Sequence, residues 1–572
     1  MNEIPDREAQ ANREVGVTDI GKRGAIGLCV FFLAVILAVP FVQAAHEAVS
    51  LAKGNAGGIL PSITGLYTDA FTSLHNAPKT RGIFKWILAR NEKLLDAIVS
   101  YEDGLESGSV FRNAVLPLSQ RFFTGLFGLG NGKAVIGKDG WLFYEPGIRY
   151  LTEPEDGAGS GVNRSSSKAN TIFHKKQTGA LDAILDFASQ LEDRGIMLIV
   201  APAPVKPMFY PNKLSEKAAG KSFYEKGYLQ NPAFDDLKRK LEDSGVPVFD
   251  AAAYIAEHSA ELTQPVFLKT DTHWSPETVS LVARGAADFI GDRVPLSRVN
   301  YDRLGVAEKE ITNRGDIANM LRLPETSRIT APEKTVIRQV LKNGSEPWAA
   351  DRNAEILFLG DSFSNIYSLA AMGWGESAGL VEQLSYVLGR PVDRIVQNDN
   401  GAYATRQALQ YELSRGRDRL AGKRVVVWEF ALRELVLGDW KEISLKTAEA
   451  SPSEFFTPDE GGEVTATGII LDTSARPVPR TTPYKDHIMT LHLVDVSVEG
   501  VPGEQFEVLV YAFSMIDYEL TDIAKYRPGE KITLKLKSWF DVMDKYNSIN
   551  RAEIDDDDLL FEDPCWGEEV IP

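Results

Sequence analysis

The chain has 572 residues, of which 44% are hydrophobic and 25% charged, and a formal net charge of -18. The length exceeds one domain, and the composition is globular rather than disordered. The negative balance argues against nucleic acid as a partner, and two cysteines, Cys29 and Cys565, cannot make a disulfide framework.

Residues 1–23 read as a cytoplasmic leader ending in Lys22-Arg23, and 24–45 as a transmembrane signal anchor. No charge interrupts Ala25 to Ala45, which is long enough to span a bilayer. The positive pair before it stays on the cytoplasmic side. Everything beyond would then be exported, giving a single-pass protein of the inner membrane with its bulk in the periplasm. Val42-Gln43-Ala44 resembles a cleavage site, so a cleaved signal peptide is the alternative; the long leader favours the anchor.

Residues 46–130 read as a helical segment, with an apolar stripe from Phe84, Ile87 and Leu88 to Leu94, Leu95 and Ile98. Gly128, Gly130 and Gly132 imitate a phosphate loop, but no strand precedes them and a hairpin follows. That hairpin is Ala134-Val135-Ile136, a Lys-Asp-Gly turn, and Trp141 to Tyr144. Residues 154–168, rich in Gly, Ser and acidic side chains, read as a loop.

From about Asn170 the pattern becomes α/β. Two segments echo each other: Leu191-Glu192-Asp193-Arg194-Gly195 before Ile196–Val200, and Leu241-Glu242-Asp243-Ser244-Gly245 before Val246–Phe249. Each is a helix end, a glycine stop and a buried strand. Further strands are expected at Ile356–Leu359, Arg394–Gln397 and Arg424–Trp428, in a mainly parallel sheet flanked by helices. The catalytic domain spans 131–440 and a linker 441–460. The texture then turns to alternating strands, Val464–Leu471, Met489–Val498, Phe506–Phe513 and Lys531–Lys537, with a helix at Glu519–Tyr526. A β-rich, OB-like module over 461–572 is expected, either one whose Trp539 and exposed Tyr and Lys side chains meet sugars or a small packing domain with no ligand. The acidic run Asp555 to Asp558 reads as solvated.

Two motifs carry the chemistry. Lys269-Thr270-Asp271-Thr272-His273-Trp274-Ser275-Pro276 precedes a helix capped by Ser275, and Gly360-Asp361-Ser362-Phe363-Ser364 follows a buried strand. A nucleophilic serine needs an imidazole to take its proton and a carboxylate to fix the ring's tautomer. Asp271, His273 and Ser362 supply that set, with Ser362 at the carboxyl end of a strand where open α/β sheets place chemistry. A helix is expected to start at Ser364 and run to Ala371. Of seven histidines, only His273 has an acidic residue two positions away on a loop; His75, His174 and His258 read as solvated, and His46, His487 and His492 lie elsewhere. No His/Cys cluster has metal-ligand spacing, so neither metal nor cofactor is expected. Asn398 or Asn400 is a candidate oxyanion donor or else a turn former, and Tyr403 and Arg406 are candidates for acceptor binding or for structure.

The Gly140-Trp141-Leu142-Phe143-Tyr144 hairpin, Pro204, Lys206 and Tyr210-Pro211, the Asp271-Thr272-His273-Trp274 and Gly360–Ser364 motifs and the Val427-Trp428-Glu429-Phe430 strand resemble periplasmic alginate O-acetyltransferases. Those are SGNH-hydrolase-like proteins in which Asp-x-His precedes the serine. The resemblance covers roughly residues 130–440. It implies an Asp271–His273–Ser362 triad, an acetyl-enzyme on Ser362, a polysaccharide acceptor and a membrane-bound O-acyltransferase that relays the acetyl donor. The tail departs from the family, since some members carry a β-sandwich carbohydrate module, and this leaves alginate itself open as the acceptor. The competing readings are a carbohydrate acetylesterase with the same triad, and a non-catalytic glycan-binding component of a secretion complex.

Overall fold

The computed structural model describes residues 21–52, 109–152, 179–215, 221–299, 301, 304–324, 327–398, 400–414, 418–446, 455–474 and, with short breaks, 476–570. Most of the leader, the stripe from Phe84 to Ile98, His75, His174, the 154–168 loop and Asp555–Asp558 lie outside the described residues. The chain divides into two compact units, Met1–Val115 and Leu116–Pro572. In the first, a helix spans Lys22–Ala52. Its Lys22–Gln43 stretch is long and apolar enough to cross a membrane, a property that anchors and signal sequences share. Its Ile26, Phe31, Phe32 and Phe41 side chains are exposed.

In chain order the strands of the second unit are β1 Ala134–Ile136, β2 Leu142–Tyr144, β3 Met197–Val200, β4 Leu304–Asn313, β5 Glu333–Lys342 and β6 Glu346–Pro347. Then come β7 Ile356–Gly360, β8 Asp393–Val396 and β9 Val425–Trp428. The last group is β10 Glu463–Thr473, β11 His487–Val498, β12 Phe506–Ile516, β13 Glu519–Leu520, β14 Lys531–Ser538, β15 Asn550–Ala552 and β16 Pro564–Glu569.

A parallel sheet of order β3-β9-β7-β8 forms the centre of an α/β fold. All of β7 and β9 is buried, as parallel strands covered on both faces require. Phe187 of helix Ala180–Glu192 meets the Trp428 ring edge-on at 5.4 Å, and helix Pro276–Gly291 packs against helix Leu380–Leu388. The two echoed segments end their helices alike. Ile196 N–H donates to the Leu191 carbonyl at 3.0 Å and Val246 N–H to that of Leu241 at 2.9 Å, across Gly195 (φ 72°) and Gly245 (φ 83°). A left-handed residue at that position suits glycine. The second echo does not become a strand, however. Val248 makes a single parallel bridge to Val200. Pro247 has no N–H to donate, which limits a ladder at this edge.

The sequence patterns did not indicate the long antiparallel hairpin β4–β5, inserted between the two motifs. Its outward alternation is weak, with Glu308, Lys309 and Glu310 consecutive and exposed.

The tail is β-rich and closes on itself. β10 pairs with β11, β11 with β12, β12 with β16, β16 with β14 and β14 with β10. Within this ring only β12–β16 is parallel. Ile470, Leu491, Val508, Val510, Leu534 and Leu536 fill the interior. Three expectations need correction here. Glu519–Tyr526 is a short strand, β13, and a 3-10 turn at Ile523–Lys525, because Asp517 and Tyr518 take positive φ (48° and 64°) and turn the chain back onto β12. Trp539 is buried, at 2% exposure, and so cannot present an open face to a sugar as expected. The first part of the expected linker is tied down: Ile443 and Leu445 are buried, and Gln190 bonds the Ile443 carbonyl (2.9 Å) and the Leu445 N–H (2.7 Å). Residues 447–454 lie outside the described residues.

The barrel docks on the α/β part. Asn365 Nδ2 donates to the Ser548 carbonyl at 3.2 Å, Gln397 Nε2 to that of Asn547 at 2.9 Å, and Asn319 Nδ2 to the Tyr518 hydroxyl at 3.1 Å.

Candidate active site

Ser275 caps helix Pro276–Gly291, with Pro276 at the first position, and this holds the preceding loop. On that loop His273 Nδ1 lies 2.7 Å from Asp271 Oδ1, and its Nε2 lies 2.8 Å from Ser362 Oγ. With Nδ1–H donating to the carboxylate, Nε2 is left to accept the serine proton. The ring is also fixed by Phe363, edge-on at 4.8 Å.

Asp271 is saturated. Oδ1 accepts the His273 N–H (3.1 Å) as well as the ring, and Oδ2 accepts the Trp374 indole (2.8 Å) and the Asp316 N–H (3.0 Å). Burial pushes this carboxyl up, but the bonds and charge of His273, with those two donors, outweigh it and hold it at about 2. Asp316 behaves oppositely: burial, then the neighbouring Asp271 charge, pushes it up to about 6. Its Oδ1 accepts the N–H of Thr272 at 2.6 Å. Glu333, at the start of β5, accepts the N–H groups of Lys269 (2.8 Å) and Thr270 (2.6 Å) and the Thr270 hydroxyl. Lys206 is buried beneath, with Nζ on the carbonyls of Leu142 (2.8 Å) and Lys269 (3.1 Å). Burial pulls its pKa down to about 8, against the charges of Asp271, Asp316 and Glu333. The unexpected hairpin therefore clamps the Asp271 loop from above, and the GWLFY hairpin clamps it through Lys206.

Ser362 sits where β7 ends and a single helical turn, Ser362–Asn365, begins. The expected longer helix to Ala371 does not form. Ser364 Oγ bonds back to the Asp361 carbonyl at 2.8 Å, and such local bonds compete with helix extension. Asp361 caps the turn through the Phe363 N–H (2.8 Å) and ties it to the strand end β9 through the Ala431 N–H (2.8 Å). Glu429 Oε2 accepts the Asp361 N–H at 3.0 Å. Burial, with Asp361 beside it, raises Glu429 well above the usual carboxylate range. Gly360 is required by close approach: a Cβ there would lie 2.3 Å from Ser364 Oγ.

The remaining expected residues separate. Asn398 is buried next to the turn; its Oδ1 accepts from Asn365 Nδ2 at 2.7 Å, and its Nδ2 has no partner among the described residues. Asn400 is exposed at φ 56° and receives the N–H groups of Tyr403 (2.9 Å) and Ala404 (2.8 Å) on its carbonyl, which is the turn-forming alternative. Tyr403 is half-buried, with Lys441 Nζ 4.2 Å from its ring centre. Arg406 is fully buried, donates to the Ala402 carbonyl (2.7 Å) and lies 4.6 Å over Trp428, so it cannot touch an acceptor. Asp271, His273 and Asp316 place ligand atoms within 4.8 Å of one another. Both oxygens of Asp271 and Nδ1 of His273 are already committed to hydrogen bonds, an arrangement suited to orienting a base.

A family model described as "SGNH hydrolase-like domain, acetyltransferase AlgX" matches residues 134–432. The chain belongs to this acetyltransferase family. Among its relatives, the "probable alginate O-acetylase AlgJ" of Pseudomonas fluorescens is 24% identical over 317 residues, 54% of this chain and 70% of the relative. The protein of that name from Pseudomonas aeruginosa is 24% identical over 323 residues, covering 54% and 72%. Of solved structures, the O-acetyltransferase domain of Pseudomonas putida AlgJ aligns at 21% identity and a TM-score of 0.37, over 54% of this chain and 93% of that one. Pseudomonas aeruginosa AlgX aligns at 13% and 0.37, over 71% and 90%.

Sequence reasoning missed Asp316, Glu333, Trp374 and Glu429. Glu429 had a signal, a carboxylate at the end of an otherwise apolar strand. Trp374 had none, since nothing in Gly373-Trp374-Gly375 indicates a partner 103 residues upstream.

Proposed function

We propose that this acetyltransferase moves acetyl groups onto hydroxyls of an exopolysaccharide through an acetyl-enzyme on Ser362. The observation that carries the reading is His273 standing between Asp271 (2.7 Å) and Ser362 (2.8 Å) in a buried site. Ser362 Oγ attacks the acetyl carbonyl carbon as its proton passes to His273 Nε2. The tetrahedral intermediate collapses, the acyl–donor bond breaks, and the leaving group takes the proton from His273. A sugar hydroxyl then attacks the acetyl-enzyme, giving its proton to His273, and Ser362 recovers that proton as the ester leaves. The oxyanion donors are the Ser362 N–H, at a helix start without an intrahelical acceptor, and Asn398 Nδ2.

The polysaccharide acceptor is taken from the relatives' names, alginate O-acetylase. The apolar helix Lys22–Ala52 supports a single-pass anchor in the inner membrane, with a periplasmic catalytic part that receives acetyl groups from a membrane-bound O-acyltransferase. The cyclic strand order first-second-third-fifth-fourth, with one parallel closure, supports an OB-like module.

The test is incubation of the enzyme with an acetyl ester and a panel of glycans, with mass spectrometry of both products. Acetylated glycan lost in Ser362→Ala supports transfer. Free acetate with no acetylated glycan would leave an esterase. Undiminished activity of Ser362→Ala would identify a different nucleophile.

A further inference from the structure

We propose that the cleft between the barrel and the α/β part binds a glycan chain of neutral sugars and leads it to Ser362. The proposal rests on the polysaccharide-acetylating reading above. The cleft has a volume of about 590 Å³. Its barrel wall comprises β11 and β12, through His487, Thr490, Leu509 and Tyr511. The loop between β10 and β11 adds Arg476 and Tyr484, and the connection from β14 to β16 adds Asn547. Numbering the five ring strands in chain order, these are the second and third strands and the loops after the first and fourth. That is the face OB barrels use for oligosaccharides.

The opposite wall carries Tyr403, Gln407 and Gln410 of the helix Ala404–Ser414 and the turn before it, spaced so that they share one face. Gln397 also lines the cleft, and its N–H donates to the Gly360 carbonyl at 3.0 Å, two residues before Ser362. Through this one strand-end contact a lining residue of the cleft adjoins the turn that carries Ser362.

Charge decides the class of ligand. Four basic and three acidic side chains line the cleft. Arg419 forks onto Asp393 at 2.6 and 2.8 Å. Arg551 bonds Glu553 at 2.6 Å and lies 4.3 Å over the Tyr511 ring. Arg476 donates to the Ala524 carbonyl at 2.7 Å. Lys441 lies over Tyr403 and 3.5 Å from Asp439. A polyuronate brings one carboxylate per sugar, and each one drawn out of water needs a cation not already engaged. What the walls offer instead are the side-chain amides of Asn400, Gln407, Gln410 and Asn547. An amide donates and accepts at once, which matches hydroxyls rather than carboxylates.

The experiment is a calorimetric titration of the full-length Ser362→Ala protein in detergent, which binds without turnover. The probes are a neutral β-linked gluco-oligosaccharide and an oligo-uronate of equal length, each at low salt and at about 0.5 M salt. The neutral chain is expected to bind with salt-insensitive affinity. The double change Gln407→Ala and Gln410→Ala is expected to weaken it at least about tenfold, in a helix that tolerates alanine. The proposal is overturned by a salt-sensitive preference for the uronate, by neutral binding that the double change leaves intact, or by binding of neither chain. Acetyl transfer by the unsubstituted enzyme is measured separately. A failed titration then leaves the acetyltransferase reading standing, and absent transfer leaves the titration readable.

Discussion

The α/β part and the barrel bury very different interiors. Around Ser362 the α/β part buries Asp271, His273, Asp316, Asp361, Glu429 and Lys206, all at 4% exposure or less. The barrel interior is Ile470, Leu491, Val508, Val510, Leu534, Leu536 and similar side chains. Burying an ionisable group costs several kcal/mol unless bonds and opposite charges return it. A concentration of six of them in one place marks this region as the candidate site. Among the described residues the barrel interior gathers no such cluster and is held mainly by apolar burial, with isolated buried polar pairs such as His487 and Ser514 at 2.7 Å. Stability and reactivity are thus assigned to separate regions, and substitutions in the two should fail in different ways.

The sharpest contrast is Asp271→Asn. It leaves volume and burial unchanged but removes the charge that fixes the His273 tautomer, so acetyl transfer should fall about 10⁴-fold. The thermal transition should persist; a lost transition would mean that the carboxylate serves the fold rather than the reaction. In the barrel, Leu534→Ala should do the reverse. It opens a cavity in a fully apolar interior, at a cost of about 2–5 kcal/mol in denaturant unfolding. A smaller loss would mean that the barrel relaxes more easily than its tight interior suggests.

Asp316 tests the cost of the polar interior by pH. Its pKa is about 6 when folded, against an ordinary 3.8. Between those values the native state holds a proton that the unfolded chain has released. The stability this group contributes therefore falls as pH rises through that window and stays reduced above it. Asp316→Asn should flatten that slope and raise stability near neutral pH by on the order of 2 kcal/mol. Unfolding midpoints from about pH 4 to 7 check it, and an unchanged slope would place the titration elsewhere. Asp271, held at about 2, has the opposite sign: its contribution is complete above the ordinary carboxylate pKa and is lost as pH falls through 2. The smallest effect belongs to neither interior. The Arg284–Glu261 pair lies on the surface at 2.6 Å, with both side chains about half exposed. Glu261→Gln should change stability by less than about 0.5 kcal/mol. A larger change would show that surface charge is a third contributor.

Much of this contrast was legible in the chain. The Ser275-Pro276 cap, the Ile356–Leu359 run ending at Gly360 and the Gly195 and Gly245 stops are local signals, because capping, periodicity and positive φ depend on a few neighbouring residues. They sufficed to set Asp271, His273 and Ser362 at helix and strand ends. The alternation of Thr490 to Val496 likewise announced a separate β region. Local signals misled where a single internal residue or a packed neighbour limited what the pattern promised. Val246–Phe249 reads as a strand, but Pro247 limits its pairing; Arg406 reads as a reachable cation, but the Trp428 ring covers it. Pro564–Glu569 carries a proline and a glycine and showed no strand pattern, yet β12 and β14 pair with it and close the barrel.

By itself, then, the sequence singled out the candidate residues Asp271, His273 and Ser362 and the turns that carry them, since a nucleophile, its base and their caps are written in short motifs. Only the tertiary structure decided what makes those residues work together. Trp374, Asp316 and Glu333 reach the Asp271 loop from 103, 45 and 63 residues away in sequence, and no periodicity encodes such pairings. Surroundings also split chemically similar carboxyls: burial and the Asp271 charge lift Asp316 to about 6, whereas the bonds and charge of His273, with two further donors, hold Asp271 near 2 against its burial. That split comes from which donors and charges the packed chain places around each group, and packing is a property of the whole fold.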